Sequence, residues 1–260
     1  MQQEGHMLRR IAIAAALVLL CAGQAPANTD ISFVQGITQG AFKSFSREVG
    51  SAISYKNVAP AAPLGITGFD IAAEATFVDI RKDAAYWQAA TGSNAPSVYV
   101  IPKVRLRKGL PFGIDLGAMY SKVPDSNIQL YGAEIAKALL EGSPVSPALG
   151  VRATYTRLAG VGDLDLQTVG LDASLSKGFF ILTPYVGGGA VWIDGKAKGR
   201  LASDPAFIAV NGGAPLKTEK FWQERVFGGV KISPLPLFNV TAEVEYSGVT
   251  TYSLRAAIGF

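Results

Sequence analysis

From Phe69 to Phe260 one pattern recurs between turn signals: apolar and polar or small residues alternate with a period of two. In FNVTAEVEY, Phe238, Val240, Ala242, Val244 and Tyr246 share one face of a strand, with Asn239, Thr241, Glu243 and Glu245 on the other. FDIAAEATF sets Phe69, Ile71, Ala73, Ala75 and Phe77 against Asp70, Ala72, Glu74 and Thr76. The same division runs through VYVIPKVRLRK (98–108), FGIDLGAMY (112–120), LGVRATYT (149–156), TVGLDASLS (168–176) and FWQERVFGGVKI (221–232). LYGAEIAKAL (130–139) alternates too, although its Ala and Leu content also suits a helix. FFILTPYVGGGAVWID (179–194) is extended, its phase blurred by Pro184 and Gly187–Gly189. Strands that are apolar on one face only do not come from a sheet buried on both sides.

The N-terminal stretch MLRRIAIAAALVLLCAGQAPAN has basic Arg9 and Arg10, an apolar run from Ile11 to Leu20 and a small-residue site at Ala25-Pro26-Ala27. That is a secretory signal peptide, residues 1–27, with Met7 an alternative start. Cys21 follows Leu20 rather than the small residue a lipoprotein site needs. Cleavage removes the only cysteine, Cys21, and the only histidine, His6. The mature chain therefore has no thiolate and no imidazole. With 24 Lys and Arg against 20 Asp and Glu, the sequence is too weakly basic to point to nucleic acid. No run of 18 apolar residues follows the leader, so no transmembrane helix is expected. A closed β-barrel is the other structure that satisfies every backbone amide inside a bilayer.

Connection lengths support that choice independently. KGLP (108–111), SKG (176–178) and SPLP (233–236) are short, whereas about 80–96 and about 196–218 are long. Counting strands between them puts the short ones on one side and both long ones on the other, as in a barrel with periplasmic turns and extracellular loops.

The end of the chain, TTYSLRAAIGF, alternates Tyr252, Leu254, Ala256, Ile258 and a terminal Phe260 with polar or small residues. It resembles the last strand of small Gram-negative outer-membrane β-barrels. The resemblance covers the leader and nearly all of 65–260. It implies recognition by the barrel-assembly machinery, with Tyr252, Ile258 and Phe260 as the insertion signal, and contact with outer-membrane lipid and lipopolysaccharide.

Ahead of the strands, Val34, Ile37, Ala41, Phe45, Val49 and Ala52 recur every three to four residues, so 34–50 reads as an amphipathic helix. It is placed either inside the lumen or at the periplasmic rim; the former resembles the N-terminal plug of the larger long-chain fatty-acid transporters. Counting SAISYKNVAP (51–60) as a strand gives an odd eleven, against the even number of bacterial barrels. The expectation is ten strands, with twelve as the alternative. The chain thus divides into leader (1–27), helix with linker or first strand (28–60), and an all-β, closed antiparallel transmembrane barrel (61–260).

Enzymatic outer-membrane barrels rely on a histidine, which the mature chain lacks, so the expectation is not an enzyme, with no cofactor and no metal. Glu243 and Glu245 share a face, but lumen carboxylates next to lumen cations read as structural. The inward faces hold Asp70, Glu74, Asp115, Glu134, Asp172, Glu243 and Glu245 against Lys103, Arg105, Arg107, Arg152, Arg225, Lys231 and Arg255, a balanced lumen without ion preference. Hairpins centred near Val249, Leu235 and Leu110 place Glu243 opposite Arg255, Arg225 opposite Glu245, and Arg105 opposite Asp115. A narrow barrel filled by such side chains favours an occluded or structural role, or a narrow passive channel for small solutes, hydrophobic ones included. The alternative is adhesion or lipopolysaccharide binding through loops 80–96 and 196–218, with Lys196, Lys198 and Arg200 as contacts. The GGG at 187–189 lacks the context of a phosphate loop and suits a bend in a strand. Trp87, Trp192 and Trp222 fit an interfacial girdle.

Overall fold

The computed structural model describes residues 31–259 apart from 93–95 and 125, so the leader (1–27) and Phe260 lie outside the described residues. Ten strands form the wall: β1 (Phe69–Asp79), β2 (Val98–Leu110), β3 (Ile114–Lys122), β4 (Gln129–Leu140), β5 (Ala148–Ala159), β6 (Leu164–Ser176), β7 (Leu182–Ala197), β8 (Glu219–Leu235), β9 (Phe238–Tyr246) and β10 (Thr250–Gly259). Each pairs antiparallel with the next, and β1 pairs with β10, so the sheet closes on itself and leaves no edge. Ala72 stands opposite Ala257 and Phe77 opposite Tyr252 along that seam. The strand count is ten. Residues 130–139 lie in β4 and not in a helix.

Alternation decides which way every side chain points. Ile71, Val104, Leu106, Leu116, Ile135, Val151, Leu171, Leu175, Val186, Val226, Val244 and Leu254 stand on the outside and are exposed. Residues between them, such as Glu74, Arg105, Glu134, Arg152, Asp172, Arg225, Glu243 and Arg255, point inward and are buried. Apolar outside and charged inside is the reverse of a water-soluble barrel.

The two ends differ. Connections 80–97, 123–128, 160–163, 198–218 and 247–249 emerge on one side, and 111–113, 141–147, 177–181 and 236–237 on the other. Both long connections are on the first side, which also carries helices α2 (Ala85–Thr91), α3 (Gly199–Ser203) and α4 (Pro205–Val210). Near that side Tyr120 pairs with Tyr131, and Trp192 with Trp222, at ring-centroid distances of 5.3 and 5.6 Å. Phe112, Phe179, Phe180, Leu235 and Leu237 are exposed at the opposite turns. Trp87 departs from the expected girdle: it lies on α2, is buried, and meets the Phe45 ring edge-to-face at 5.2 Å. The long first connection folds inward because Tyr86, Trp87, Ala89 and Ala90 form an apolar face that water would otherwise wet.

The N-terminal helix α1 (Gln39–Ile53) begins five residues later than the periodicity suggests and runs three further, and 51–60 contains no strand. Thr38 caps it, its hydroxyl accepting from Ala41 N at 3.3 Å. The helix lies in the lumen, not at the periplasmic rim.

Candidate functional site: the threaded lumen

The described chain starts at the loop side. Ser32 N donates to Ala90 O at 2.9 Å and Val34 N to Ala89 O at 2.8 Å, joining the segment to α2. Asp163, in the β5–β6 loop, accepts Phe33 N at 3.2 Å and Arg200 N at 3.0 Å. Arg200 in turn donates to Ser32 Oγ and to Phe33 O. From there α1 descends along the inner wall, and 54–64 continues to the turn side, where Leu64 N donates to Asp115 Oδ1 at 3.1 Å. One segment therefore threads the bore from mouth to mouth.

Two chemistries hold it. In the loop-side half, Phe33, Phe42, Phe45, Val49 and Ile53 pack with Val78, Tyr99, Ile101, Leu130, Leu158, Leu164 and Leu166 of the wall. This is an apolar core inside a membrane barrel, built because α1 is amphipathic and the inward residues change from polar to apolar towards the loops. Small residues bring the helix close to β7: a Cβ on Gly50 would lie 2.7 Å from Ile193 Cγ2, and one on Gly195 would lie 2.7 Å from Ser46 Oγ. Glu48, buried on the helix, accepts Arg81 N at 2.7 Å and the Tyr86 hydroxyl at 2.6 Å. Burial, reinforced by that carboxylate, pushes the Tyr86 phenol well above its ordinary range.

In the other half the fill is ionic. Lys56, fully buried, donates to Glu245 at 2.7 Å, to Ser51 O at 2.8 Å and to Ser54 Oγ at 3.2 Å. The wall arginines reach for the segment's carbonyls. Arg105 donates to Lys56 O and Asn57 O, both at 2.8 Å, Arg152 to Lys56 O at 2.9 Å, and Arg225 to Tyr55 O at 2.9 Å. Arg105 also sits 4.5 Å over the Tyr55 ring. Glu243 accepts Val58 N and the Tyr185 hydroxyl, each at 2.8 Å. Val58 has φ of 44°, a left-handed conformation that a β-branched residue adopts only when its surroundings hold it there. A residual cavity of about 20 Å3 beside Asn57, Arg107, Asp115, Glu134 and Arg152 has room for about one water.

The expected charge pairs need correction. Glu243 stands opposite Ser253 and Arg255 opposite Thr241; Arg255 binds Asp70 and Asn239 instead. Glu245 stands opposite Phe227; Arg225 clamps Asp172, its Nη1 is 3.8 Å from Glu245 Oε2, and Lys56 takes that carboxylate's other oxygen. Asp115 stands opposite Gly109 and binds Arg107 at 3.0 Å, while Arg105 binds Glu74 at 3.0 Å. The cause is turn geometry. Pro111 to Gly113, with Phe112 at φ 67°, moves the β2–β3 turn two residues past Leu110, and each one-residue shift of a turn centre moves the partner by two.

The remaining expected residues are scattered. Tyr252 and Ile258 are on the exterior of β10, opposite Phe77 and Ile71 respectively. Lys196 is on the exterior of β7, Lys198 binds Asp165 at 3.1 Å, and Arg200 turns to the threaded segment. Lys56, Glu48, Tyr55 and Asp163 were absent from the sequence-based site. Their only signals were that Lys56 is the one charged residue of 51–60 and Glu48 the one carboxylate of 34–50.

The exterior apolar band, the aromatic pairs above it and the division of long loops from short turns fix the solvent this sheet faces. The chain is a transmembrane β-barrel with the fold of the outer-membrane type. Its long loops lie at one mouth and its short turns at the other, the division seen in barrels of that type. No protein-family model matches the sequence, and no curated protein matches it. Solved structures similar to the barrel include the N-terminal β-barrel domain of OprF from Pseudomonas aeruginosa, at 14% identity, covering 75% of this chain and 99% of that one, with a TM-score of 0.38. The outer membrane protein OprG from Pseudomonas aeruginosa is 9% identical, with 78% and 99% covered and a TM-score of 0.36. The KdgM porin is 10% identical, with 74% and 99% covered and a TM-score of 0.35.

Proposed function

We propose that the protein is a non-enzymatic, structural component of the outer membrane whose bore is permanently closed by residues 31–64. The carrying observation is that Phe42, Phe45, Tyr55, Lys56 and Val58 of this segment are all fully buried in the lumen. Passive flow through a ten-stranded barrel needs an open lumen, and here every cross-section is shared with a segment bonded to the wall. A plug that swung out would strand Glu243, Glu245 and the carbonyl-bound arginines. Adhesion through 80–96 is less well supported than closure, because Tyr86, Trp87, Ala89 and Ala90 of that loop are committed to the core.

Conductance with a tether decides between permanent closure and gating. Ser51 on α1 and Ser247 in the β9–β10 loop have hydroxyls 3.4 Å apart, so the Ser51→Cys/Ser247→Cys pair can lock the helix to the wall. In planar bilayers the wild type and the pair, oxidised or reduced, should all be silent. Conductance in the wild type or the reduced pair that is absent from the oxidised pair would overturn the proposal and establish a gated channel.

A further inference from the structure

One charged field lies outside the barrel and plays no part in closure. On the exterior of β5, β6, β7 and β8, Tyr155, Val169, Trp192 and Trp222 form one row of neighbours. The next exterior row towards the loops is Arg157, Gln167, Asp194 and Lys220, and beyond it Asp165 stands opposite Lys196. Together with Thr218, these charged and polar residues line a recess of about 310 Å3, with Lys198 beside it on Asp165.

The aromatic row sets the height. Tyr and Trp rings rest where hydrocarbon gives way to headgroups, so the charges one row further out lie among the headgroups of the outer leaflet. Their arrangement is graded. Asp165 and Asp194 sit low, 27% and 18% exposed, and bind cations that spread above them: Arg157 and Lys198 on Asp165, Lys220 on Asp194, each cation about half exposed. Gln167 donates to Asp194 at 3.3 Å. Lys196 has no carboxylate partner among the described residues. The carboxylates thus hold the cations in place and leave a cationic surface, four positive groups over two negative, facing lipid rather than water.

We propose that this recess binds the phosphate of a phosphorylated glycolipid headgroup of the outer leaflet. A neutral lipid gains nothing from fixed ammonium and guanidinium groups at that height, whereas each Lys or Arg near the surface strengthens binding of an anionic lipid. Guanidinium and ammonium donors also form short charge-assisted bonds to phosphate oxygens. Lys196 and Lys198 keep the part the sequence suggested for them, Arg157 and Lys220 join them, and Arg200 drops out because its guanidinium serves the plug. The site depends on the barrel standing in an outer membrane and not on whether the bore is closed.

The test is native mass spectrometry of the purified barrel in uncharged detergent, titrated with diphosphorylated lipid A. The comparisons are the same lipid with its phosphates removed, phosphatidylglycerol and inorganic phosphate. Wild-type protein should hold the diphosphorylated lipid at least about tenfold more tightly than any of these. Arg157→Gln/Lys196→Gln/Lys220→Gln should lose that preference. Lys196→Glu alone, which breaks no ion pair of the fold, should weaken binding even if the triple variant fails to assemble. A preference below tenfold, an unchanged preference in a folded triple variant, or an unaffected Lys196→Glu would overturn the site.

Discussion

Lys56→Met keeps the length of the side chain and deletes its charge in the ionic half of the lumen. The ammonium has three partners, Glu245 at 2.7 Å, Ser51 O and Ser54 Oγ, and no access to water. After the substitution Glu245, 1% exposed, retains only the Arg225 guanidinium at 3.8 Å. Removing one partner of a buried pair costs about 3–5 kcal/mol, because the other charge stays buried and uncompensated. Glu245→Gln alone leaves the buried Lys56 charge with neutral acceptors only and should cost a similar amount. The double variant removes both charges, so its cost should fall short of the sum by at least about 2 kcal/mol. The assay is urea unfolding in detergent micelles, with Trp192 and Trp222 replaced by Phe so that fluorescence reports Trp87 against Phe45. Because the charge holds the plug and not the wall, the Trp87 transition should move to lower urea ahead of loss of β-structure by circular dichroism. Costs that add to within 0.5 kcal/mol, within the range expected of independent sites, would refute the direct pairing.

Three further outcomes follow from the same packing. Gly50→Ala should destabilise docking of α1 by about 1–3 kcal/mol, since its methyl would meet Ile193, and Gly50→Leu should abolish it; protease cleavage within 31–64 is the readout. Asp163→Asn should loosen the loop-side mouth, because the carboxylate accepting Phe33 N and Arg200 N becomes a neutral amide. Losing the charge from such bonds costs about 1 kcal/mol, seen as faster amide exchange at 31–38 with the strands unaffected. The raised Tyr86 phenol makes docking of the first loop fully stable below the ordinary tyrosine range near pH 10 and weaker as pH climbs beyond it. Tyr86→Phe should remove that alkaline loss, followed by the Trp87 signal between pH 9 and 12.

The wall was legible because a strand has a fixed period: one residue in two faces lipid, and a sequence that obeys this in nine of ten segments states its own orientation. The charged residues read as inward from that phase, Asp70, Glu74, Arg105, Glu134, Arg152 and Asp172 among them, do face the lumen. Their partners were not legible. Direct opposition across a hairpin depends on the turn centre, and Phe112 in a left-handed conformation moved one centre by two residues. Long side chains in a narrow bore also reach past their neighbours: Arg255 crosses to Asp70 on β1, and Arg225 to Asp172 two strands away. The plug was half legible. Helical periodicity gave α1, whereas 54–64 has no period, since its role is carried by backbone carbonyls that every sequence possesses. Trp87 was misplaced because an apolar face on a loop helix is the same signal whether it meets lipid or a plug.

The most direct measurement is hydrogen exchange of residues 42–58 in the assembled barrel, resolved residue by residue in micelles or nanodiscs. If the segment is part of the folded core, its helical amides and that of Val58 exchange as slowly as those of β6 and β7, because they are bonded and the whole segment is screened from water by the wall. Exchange of 42–58 at the rate of the exposed turns, with the strands still protected, would show an open bore and contradict the account.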